Sequence, residues 1–224
     1  MTSLSRQLAA EAVGTAFLLM GVVGSGIMAE RLAGDSDGLA LLANTIATGA
    51  ILTVLIVCLG KLSGAHFNPA VSLVMAMNKH MPKGHLLPFI LTQILAAIVG
   101  VGLAHLMFSE TIVQIAYHPR NTPGEMVAEG IATFGLVGTI LACVRYRPDF
   151  VGPAVGLYIT AGYWFTASTS FANPAVTIAR LFTNTFTGIS PEDTLAFIVA
   201  QLIGAVLAAW GFRWLTKETG NPEI

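Results

Sequence analysis

Six long apolar stretches dominate the chain. They cover roughly residues 8–29, 39–60, 86–108, 125–144, 151–168 and 194–215. A helix needs about 20 consecutive apolar residues to cross a hydrocarbon core about 30 Å thick, and each stretch is close to that length. The fifth is short and ends in the polar run Thr166-Ala167-Ser168-Thr169-Ser170. The pattern predicts an all-α membrane protein with six transmembrane helices.

Two shorter apolar segments begin with the same tripeptide. The two copies are Asn68-Pro69-Ala70 and Asn173-Pro174-Ala175. Each segment continues for about ten residues, or about 15 Å of helix, which is half of the hydrocarbon core. Asn is a favoured N-cap and Pro suits the first helical position. The sequence therefore predicts two half-helices that enter the membrane from opposite faces without crossing it.

The two halves of the chain resemble each other. The segment beginning Ala10-Glu11 matches that beginning Ala128-Glu129, and Phe89-Ile90-x-x-Gln93 matches Phe197-Ile198-x-x-Gln201. Each half has three crossings, an odd number, so the copies face opposite ways across the membrane. We expect a single channel domain over 1–224, with repeat 1 at about 1–109 and repeat 2 at about 125–217.

The half-helices indicate what the domain does. Both positive helix ends point at the membrane centre, which is hostile to cations and protons. With its oxygen used as a cap, the amide NH₂ of Asn68 or Asn173 is left to donate into the lumen. This arrangement favours passive diffusion of neutral solutes. Alternatives are two ordinary capped helices, a coupled transporter, which needs titratable groups along its route, and an ion-conducting or purely structural membrane protein.

Charge agrees with a membrane location. Only 10% of residues are charged and 54% are hydrophobic, whereas soluble domains carry about 25% charged residues. The net charge of −1 indicates no nucleic-acid partner. We expect a plasma (inner) membrane protein with both termini in the cytoplasm, because Lys and Arg are enriched in cytoplasmic loops. In this orientation only Arg31, Arg120 and Arg180 lie outside. The basic residues on the cytoplasmic side are Arg6, Lys61, Lys79, Lys83, Arg145, Arg147, Arg213 and Lys217. No catalytic, cofactor or clustered metal-ligand motif is present in the sequence, so we do not expect an enzyme.

The segment Ser63-Gly64-Ala65-His66-Phe67-Asn68-Pro69-Ala70-Val71 resembles the first pore loop of the aquaporin and glycerol-facilitator family, the major intrinsic proteins. The resemblance implies six tilted helices, two half-helices and a homotetramer with one pore per subunit. It also implies that Glu11 and Glu129 hold loop backbone near the pore and that His66 orients the first loop. A lone membrane carboxylate can instead be a proton relay.

The same resemblance identifies four filter positions. They hold Thr48, Ser170, Val176 and a residue of the fifth helix that is either Tyr163 or Ala161, with Tyr163 preferred. Val176 stands where the family usually has arginine, and the aspartate typical of glycerol channels is also missing. A wide filter without arginine most resembles bacterial channels linked to arsenic resistance, which pass arsenite as an uncharged hydroxide. The implied solutes are water, glycerol-like polyols and metalloid hydroxides.

One further cation follows the second tripeptide. Arg180 lies four residues after Val176, so both are on the same face of the half-helix. We expect its guanidinium near the outer mouth, leaving the constriction uncharged. The alternative is a salt bridge to Glu192 or Asp193.

Overall fold

The computed structural model describes residues 2–216, which form eight α-helices and no strand. Single 3-10 turns cover 83–85, 148–150 and 180–182. The all-α prediction is confirmed, while Lys217 lies outside the described residues. The helices are α1 Leu4–Ala33, α2 Asp37–Ser63, α3 Pro69–Met77, α4 Leu86–Phe108, α5 Pro123–Tyr146, α6 Val151–Phe165, α7 Pro174–Ala179 and α8 Pro191–Leu215.

Five of these helices, α1, α2, α4, α5 and α8, are long and apolar enough to cross a membrane. The fifth predicted segment, 151–168, differs, because α6 contains 15 residues and ends at Phe165. At Thr166 the backbone becomes extended, with φ −116° and ψ 134°. The polar run after Phe165 is therefore the start of a re-entrant loop and not the last turn of a helix.

The helices form two matching sets. In the first half α1 packs on α2 and α4, and in the second α5 packs on α6 and α8. Contact between α2 and α6 joins the two sets. The short helices α3 and α7 lie between them, and each contacts both α4 and α8. One apolar core runs through both halves, with Leu18 and Val22 in the same cluster as Leu136 and Ile159.

The connections define two faces of the bundle. We call the face with the start of α1 and the end of α8 the terminal face; here Thr2 Oγ1 donates to Leu62 O at 3.0 Å. The opposite, distal face carries the loop 109–122, where Arg31 pairs with Glu110 at 2.8 Å. The re-entrant loop 64–68 enters from the terminal face and the loop 166–173 from the distal face.

Glycines bring the crossing helices into close contact. A Cβ at Gly100 of α4 would collide with Ala16 O of α1, and a Cβ at Gly204 of α8 would collide with Gly130 O of α5. Each half therefore has one such close approach between its first and last long helices. Small residues of this kind allow backbone approach in lipid, where no hydrophobic drive presses helices together.

A buried carboxylate organises the first re-entrant loop. Glu11 is fully buried in α1. Its Oε1 accepts from the Ser63 hydroxyl at 2.6 Å and from His66 N at 3.0 Å. Its Oε2 accepts from Phe67 N at 2.7 Å and from Gln93 Nε2 at 2.8 Å. Loop N–H groups that lipid cannot solvate thus receive a charged acceptor.

The second loop is held in the same way. Glu129 of α5 is also fully buried. Its Oε1 accepts from the Ser168 hydroxyl at 2.6 Å and Phe171 N at 2.8 Å. Its Oε2 accepts from Ala172 N at 2.9 Å and Gln201 Nε2 at 2.6 Å. The two sets of contacts correspond atom for atom.

These contacts stabilise an unusual backbone. Ala65 and Phe67 have φ of 50° and 49°, and their counterparts Ser170 and Ala172 have 51° and 48°. Left-handed conformations cost a non-glycine residue about 1–2 kcal/mol, so surrounding contacts must impose them. The N–H groups of Phe67 and Ala172, bound by the glutamates, are among those contacts.

We predict that Glu129→Gln destabilises the fold. A glutamine presents one acceptor oxygen and an NH₂ that opposes the loop donors, so charge-assisted hydrogen bonds of about 1.5–3 kcal/mol each are lost. The thermal midpoint and monodisperse yield in detergent should both fall. The control Glu125→Gln, at the capping box near the start of the same helix, should cost at most about 1 kcal/mol. A Glu129→Gln protein as stable as the parent would show that this carboxylate does not hold the loop.

Candidate functional site

Asparagine side chains cap the N-termini of both half-helices. Asn68 Oδ1 accepts from Ala70 N at 2.9 Å and Val71 N at 3.4 Å, with Pro69 in the first helical position. At α7 the same cap is repeated: Asn173 Oδ1 accepts from Ala175 N at 2.9 Å and from Val176 N at 3.3 Å, and Pro174 opens the helix. The helix α7 has only six residues before the turn 180–182, fewer than the ten expected.

The two caps also bind each other's loop. Asn68 Nδ2 donates to Ala172 O at 2.8 Å, and Asn173 Nδ2 donates to Phe67 O at 2.8 Å. The expectation that the whole amide faces the lumen therefore needs correction, because one N–H of each amide is used across the junction. Both asparagines line the cavity described next, so the second N–H of each remains available to it.

A cavity of about 60 Å³ lies where the half-helices meet, with room for a few water molecules. Both halves of the chain contribute to its wall. One part of the wall is apolar and is formed by Leu18, Val22, Leu52, Ile56, Val71, Leu136, Ile140, Val155, Ile159 and Val176. The polar part comes from Thr48, His66, Asn68, Tyr163, Ser170, Asn173 and Arg180.

All four preferred filter positions line this cavity. Thr48 Oγ1 lies 3.2 Å from the Tyr163 hydroxyl, joining α2 to α6. Ser170 Oγ is buried and has no hydrogen-bond partner within residues 2–216. Val176 adds an apolar surface. Between the two candidates of the fifth segment, Tyr163 faces the cavity and Ala161 is exposed on the outside of α6.

His66 connects the first loop to its half-helix. Its backbone N–H donates to Glu11, and its ring Nδ1 lies 3.0 Å from Ser72 Oγ. The ring also packs against Phe89, with centroids 5.4 Å apart. These contacts fix the ring at the cavity wall.

Two glutamines complete this scaffold, and sequence reasoning assigned them no role. Gln93 Nε2 donates to Ser72 Oγ at 2.9 Å in addition to Glu11, and Gln201 Nε2 donates to Thr177 Oγ1 at 2.8 Å in addition to Glu129. Each glutamine thus ties a loop carboxylate to its half-helix. Their matching places in the two halves were the available signal.

Arg180 lines the cavity and also a second cavity that opens on the distal face. Its side chain is only 3% exposed. Its Nε donates to Thr187 O, and its Cζ lies 3.4 Å from the centroid of the Phe171 ring. Position 176 holds valine, but Arg180, one helical turn further on, lines the same cavity as the four filter positions. The expectation that Arg180 leaves the constriction uncharged therefore needs correction.

The salt-bridge alternative for Arg180 is not what the structure shows. Within residues 2–216 it forms no ion pair with Glu192 or Asp193. Asp193 instead accepts from Arg120 N at 2.7 Å and from the Ser190 hydroxyl at 2.6 Å.

Arg120 is a second cation at the distal cavity, and the sequence indicated only that it lies outside. Its Nε donates to Gly188 O at 3.0 Å and its Nη1 to Ser168 O at 3.3 Å. Its Cζ lies 4.9 Å from the Phe171 ring centroid. Burial lowers the pKa of Arg120 from its ordinary value. The path of the loop 109–122, which no local pattern predicts, brings it there.

Among residues 2–216 no group of three His, Cys, Asp or Glu side chains is arranged to hold a metal ion. The polar groups of the site are amides, hydroxyls, an imidazole and guanidinium groups. This set hydrogen-bonds solutes.

The family model of the major intrinsic proteins matches residues 1–159 and 148–223. Aquaglyceroporin AqpS of Rhizobium meliloti (strain 1021) is 55% identical over 214 residues, covering 96% of this chain and 91% of that protein. Aquaporin Z of Bradyrhizobium diazoefficiens is 27% identical over 241 residues, covering 95% and 94%.

The fold has a solved counterpart as well. The X-ray structure of the aquaglyceroporin from Plasmodium falciparum superposes with a TM-score of 0.75 at 23% identity, covering 94% of this chain and 96% of that one. The long apolar helices identify a multi-pass membrane protein. Both the family match and the relatives extend over almost the whole sequence, and the chain belongs to the major intrinsic protein family.

Proposed function

We propose that this protein is a passive channel for small uncharged solutes: water, glycerol-like polyols and metalloid hydroxides such as arsenite. One observation carries the proposal. Two asparagine-capped half-helices from opposite faces meet at a cavity, and each cap donates to the other's loop. The names of its relatives, an aquaglyceroporin among them, support the same class.

The electrostatics of the junction favour neutral solutes. The N-termini of α3 and α7 direct partial positive charge at the centre of the bundle, and Asn68 and Asn173 present N–H donors there. A solute with oxygen acceptors gains hydrogen bonds, whereas a cation meets repulsion in a region of low dielectric. The apolar wall opposite suits the carbon side of a polyol.

The filter residues support passage of solutes larger than water. Thr48, Ser170 and Val176 are all small, and valine at 176 puts neither bulk nor charge at that position. A metalloid hydroxide resembles a polyol in presenting several hydroxyl groups without charge.

A coupled transporter is the second candidate. Coupling requires titratable groups along the route, yet the oxygens of Glu11 and Glu129 are occupied by loop and glutamine donors, and neither residue lines the cavity. His66 contributes an imidazole to the cavity wall, and its ring is held by the contact of Nδ1 with Ser72 Oγ. We infer that the carboxylates hold the loops and do not carry protons.

The assembly and orientation belong to the same proposal. We propose one channel domain with repeats at about 1–109 and 125–217, assembled as a homotetramer in the inner membrane. The terminal face is cytoplasmic in this proposal, since Lys79, Lys83 and Arg213 lie there and positive charge is retained inside.

The proposal is tested by stopped-flow measurements on proteoliposomes. Water, glycerol and arsenite permeabilities should all exceed those of empty liposomes, and they should be the same with and without an imposed proton or sodium gradient. Flux that appears only with a gradient would favour the coupled transporter. Permeability equal to empty liposomes for all three solutes would reject the channel.

We predict that Val176→Arg narrows the pore. A long guanidinium would project into the ring formed with Thr48, Tyr163 and Ser170, and glycerol and arsenite flux should fall about tenfold while water flux changes by less than about threefold. Proteoliposomes of parent and variant at equal protein density provide the measurement.

The matched control is Val113→Arg, which adds the same charge at a residue 77% exposed in the loop 109–122 and should leave all three fluxes unchanged. Since Arg180 lies one turn away, Val176→Met adds length without repulsion and should reduce glycerol flux in the same direction. Glycerol and arsenite fluxes equal to the parent in both variants at 176 would show that Val176 does not set the size limit.

A further inference from the structure

Two arginines from distant parts of the chain meet at one aromatic ring. Arg120 comes from the loop after α4 and Arg180 from the turn after α7. Their Cζ atoms lie 4.9 Å and 3.4 Å from the centroid of Phe171. Both side chains line the cavity of the distal face, and Arg180 also lines the cavity between the half-helices. The pair therefore stands where a solute passes from one cavity to the other.

Neither guanidinium has a carboxylate partner within residues 2–216. The ion pairs found there join Arg31 to Glu110 and Arg147 to Asp149. Arg180 donates from Nε to Thr187 O, which leaves the four N–H groups of its two Nη atoms without a partner in the described chain. Arg120 uses Nε and Nη1, which leaves its Nη2.

Nearby acidic residues do not neutralise the pair directly. Glu129 attracts both guanidinium groups, but its oxygens are occupied by the loop donors. Glu125 also attracts Arg120, but its Oε2 accepts from Thr122 and, among the described residues, it forms no ion pair with Arg120. Glu30 and Asp37 lie on the exposed rim of the distal cavity, and neither approaches within 4 Å of either arginine. Two positive charges thus remain without a contacting counterion.

Buried charges without a contacting partner are costly, and each guanidinium is stabilised when an anion completes its hydrogen bonds. The fork of N–H groups fits the paired oxygens of an oxyanion, with two parallel bonds per guanidinium. His118 and Thr169 line the same cavity and add polar groups. With Arg180 only 3% exposed, the site faces the interior of the bundle and not the lipid, so a free ion fits it better than a lipid headgroup.

We propose that Arg120 and Arg180 form a binding site for a small oxyanion of the phosphate or carboxylate class at the distal mouth. An anion held there obstructs the passage between the two cavities. Neutral solutes therefore enter more slowly when such an anion occupies the site.

Binding is tested with inorganic phosphate on the detergent-solubilised full chain, by thermal midpoint against potassium chloride at equal ionic strength. Because a ligand that binds only the folded state stabilises it, phosphate at about 50 mM should raise the parent midpoint above the chloride value. This readout does not depend on transport, so it remains informative even if the protein passes no glycerol.

Obstruction is tested by glycerol uptake into proteoliposomes with phosphate on both sides. Occupancy of the site should lower the rate at least about twofold relative to chloride at the same ionic strength. A rate that is unaffected by phosphate, together with an unchanged midpoint, overturns the proposal. A raised midpoint with an unaffected rate overturns the obstruction.

Three variants assign the effect to residues. Arg120→Gln removes one charge, and Arg180→Lys retains the charge of the deeper residue but loses its fork; both should abolish most of the phosphate response. Arg31→Gln removes an arginine of the same face that is paired with Glu110, and it should respond to phosphate as the parent does. A full phosphate response in Arg120→Gln and Arg180→Lys would show that phosphate binds elsewhere.

Discussion

The structure depends on one requirement of lipid: backbone N–H groups inside the membrane must find acceptors within the protein. Two re-entrant loops enter the bundle without forming helix or sheet, so their N–H groups have no partner in regular secondary structure. Glu11 and Glu129 supply acceptors from neighbouring helices, and the left-handed residues of both loops are thereby fixed. Without these contacts the half-helices could not begin at the membrane centre.

Each half of the chain also supplies a hydrogen-bond donor to the re-entrant loop of the other half. Asn68 donates to a carbonyl of the second loop and Asn173 to a carbonyl of the first. A half-helix is therefore placed by its own carboxylate and aligned by the opposite loop. The same exchange keeps both positive helix ends facing one cavity, which links an arrangement needed for folding to the selection of uncharged solutes.

Much of this fold was predictable because its signals are local. Apolar length gave the spans, and the two Asn-Pro-Ala tripeptides gave the half-helices together with their caps. The early end of α6 at Phe165 was missed since the polar run after it was counted within the span. The use of one amide N–H by the opposite loop depends on how the two half-helices meet, which no single segment specifies.

The residues of the site likewise include some that the sequence predicted and some that only the tertiary contacts reveal. Thr48, Tyr163, Ser170 and Val176 were placed by the family resemblance, and the structure brings them to one cavity. Gln93 and Gln201 were recognised as matching positions of the repeat, but their hydrogen bonds to Glu11 and Glu129 depend on the tertiary fold and were not predicted. Arg120 was missed because it reaches Phe171 through the course of the loop 109–122, a long-range feature without a sequence period.

The central claim is that the paired half-helices admit neutral solutes and exclude charge. It is tested most directly by recording membrane current from the purified protein in planar bilayers, beside glycerol uptake by liposomes made from the same preparation. The account predicts rapid glycerol uptake with potassium and proton currents no greater than those of protein-free membranes. Potassium or proton current that rises with the amount of protein would contradict it.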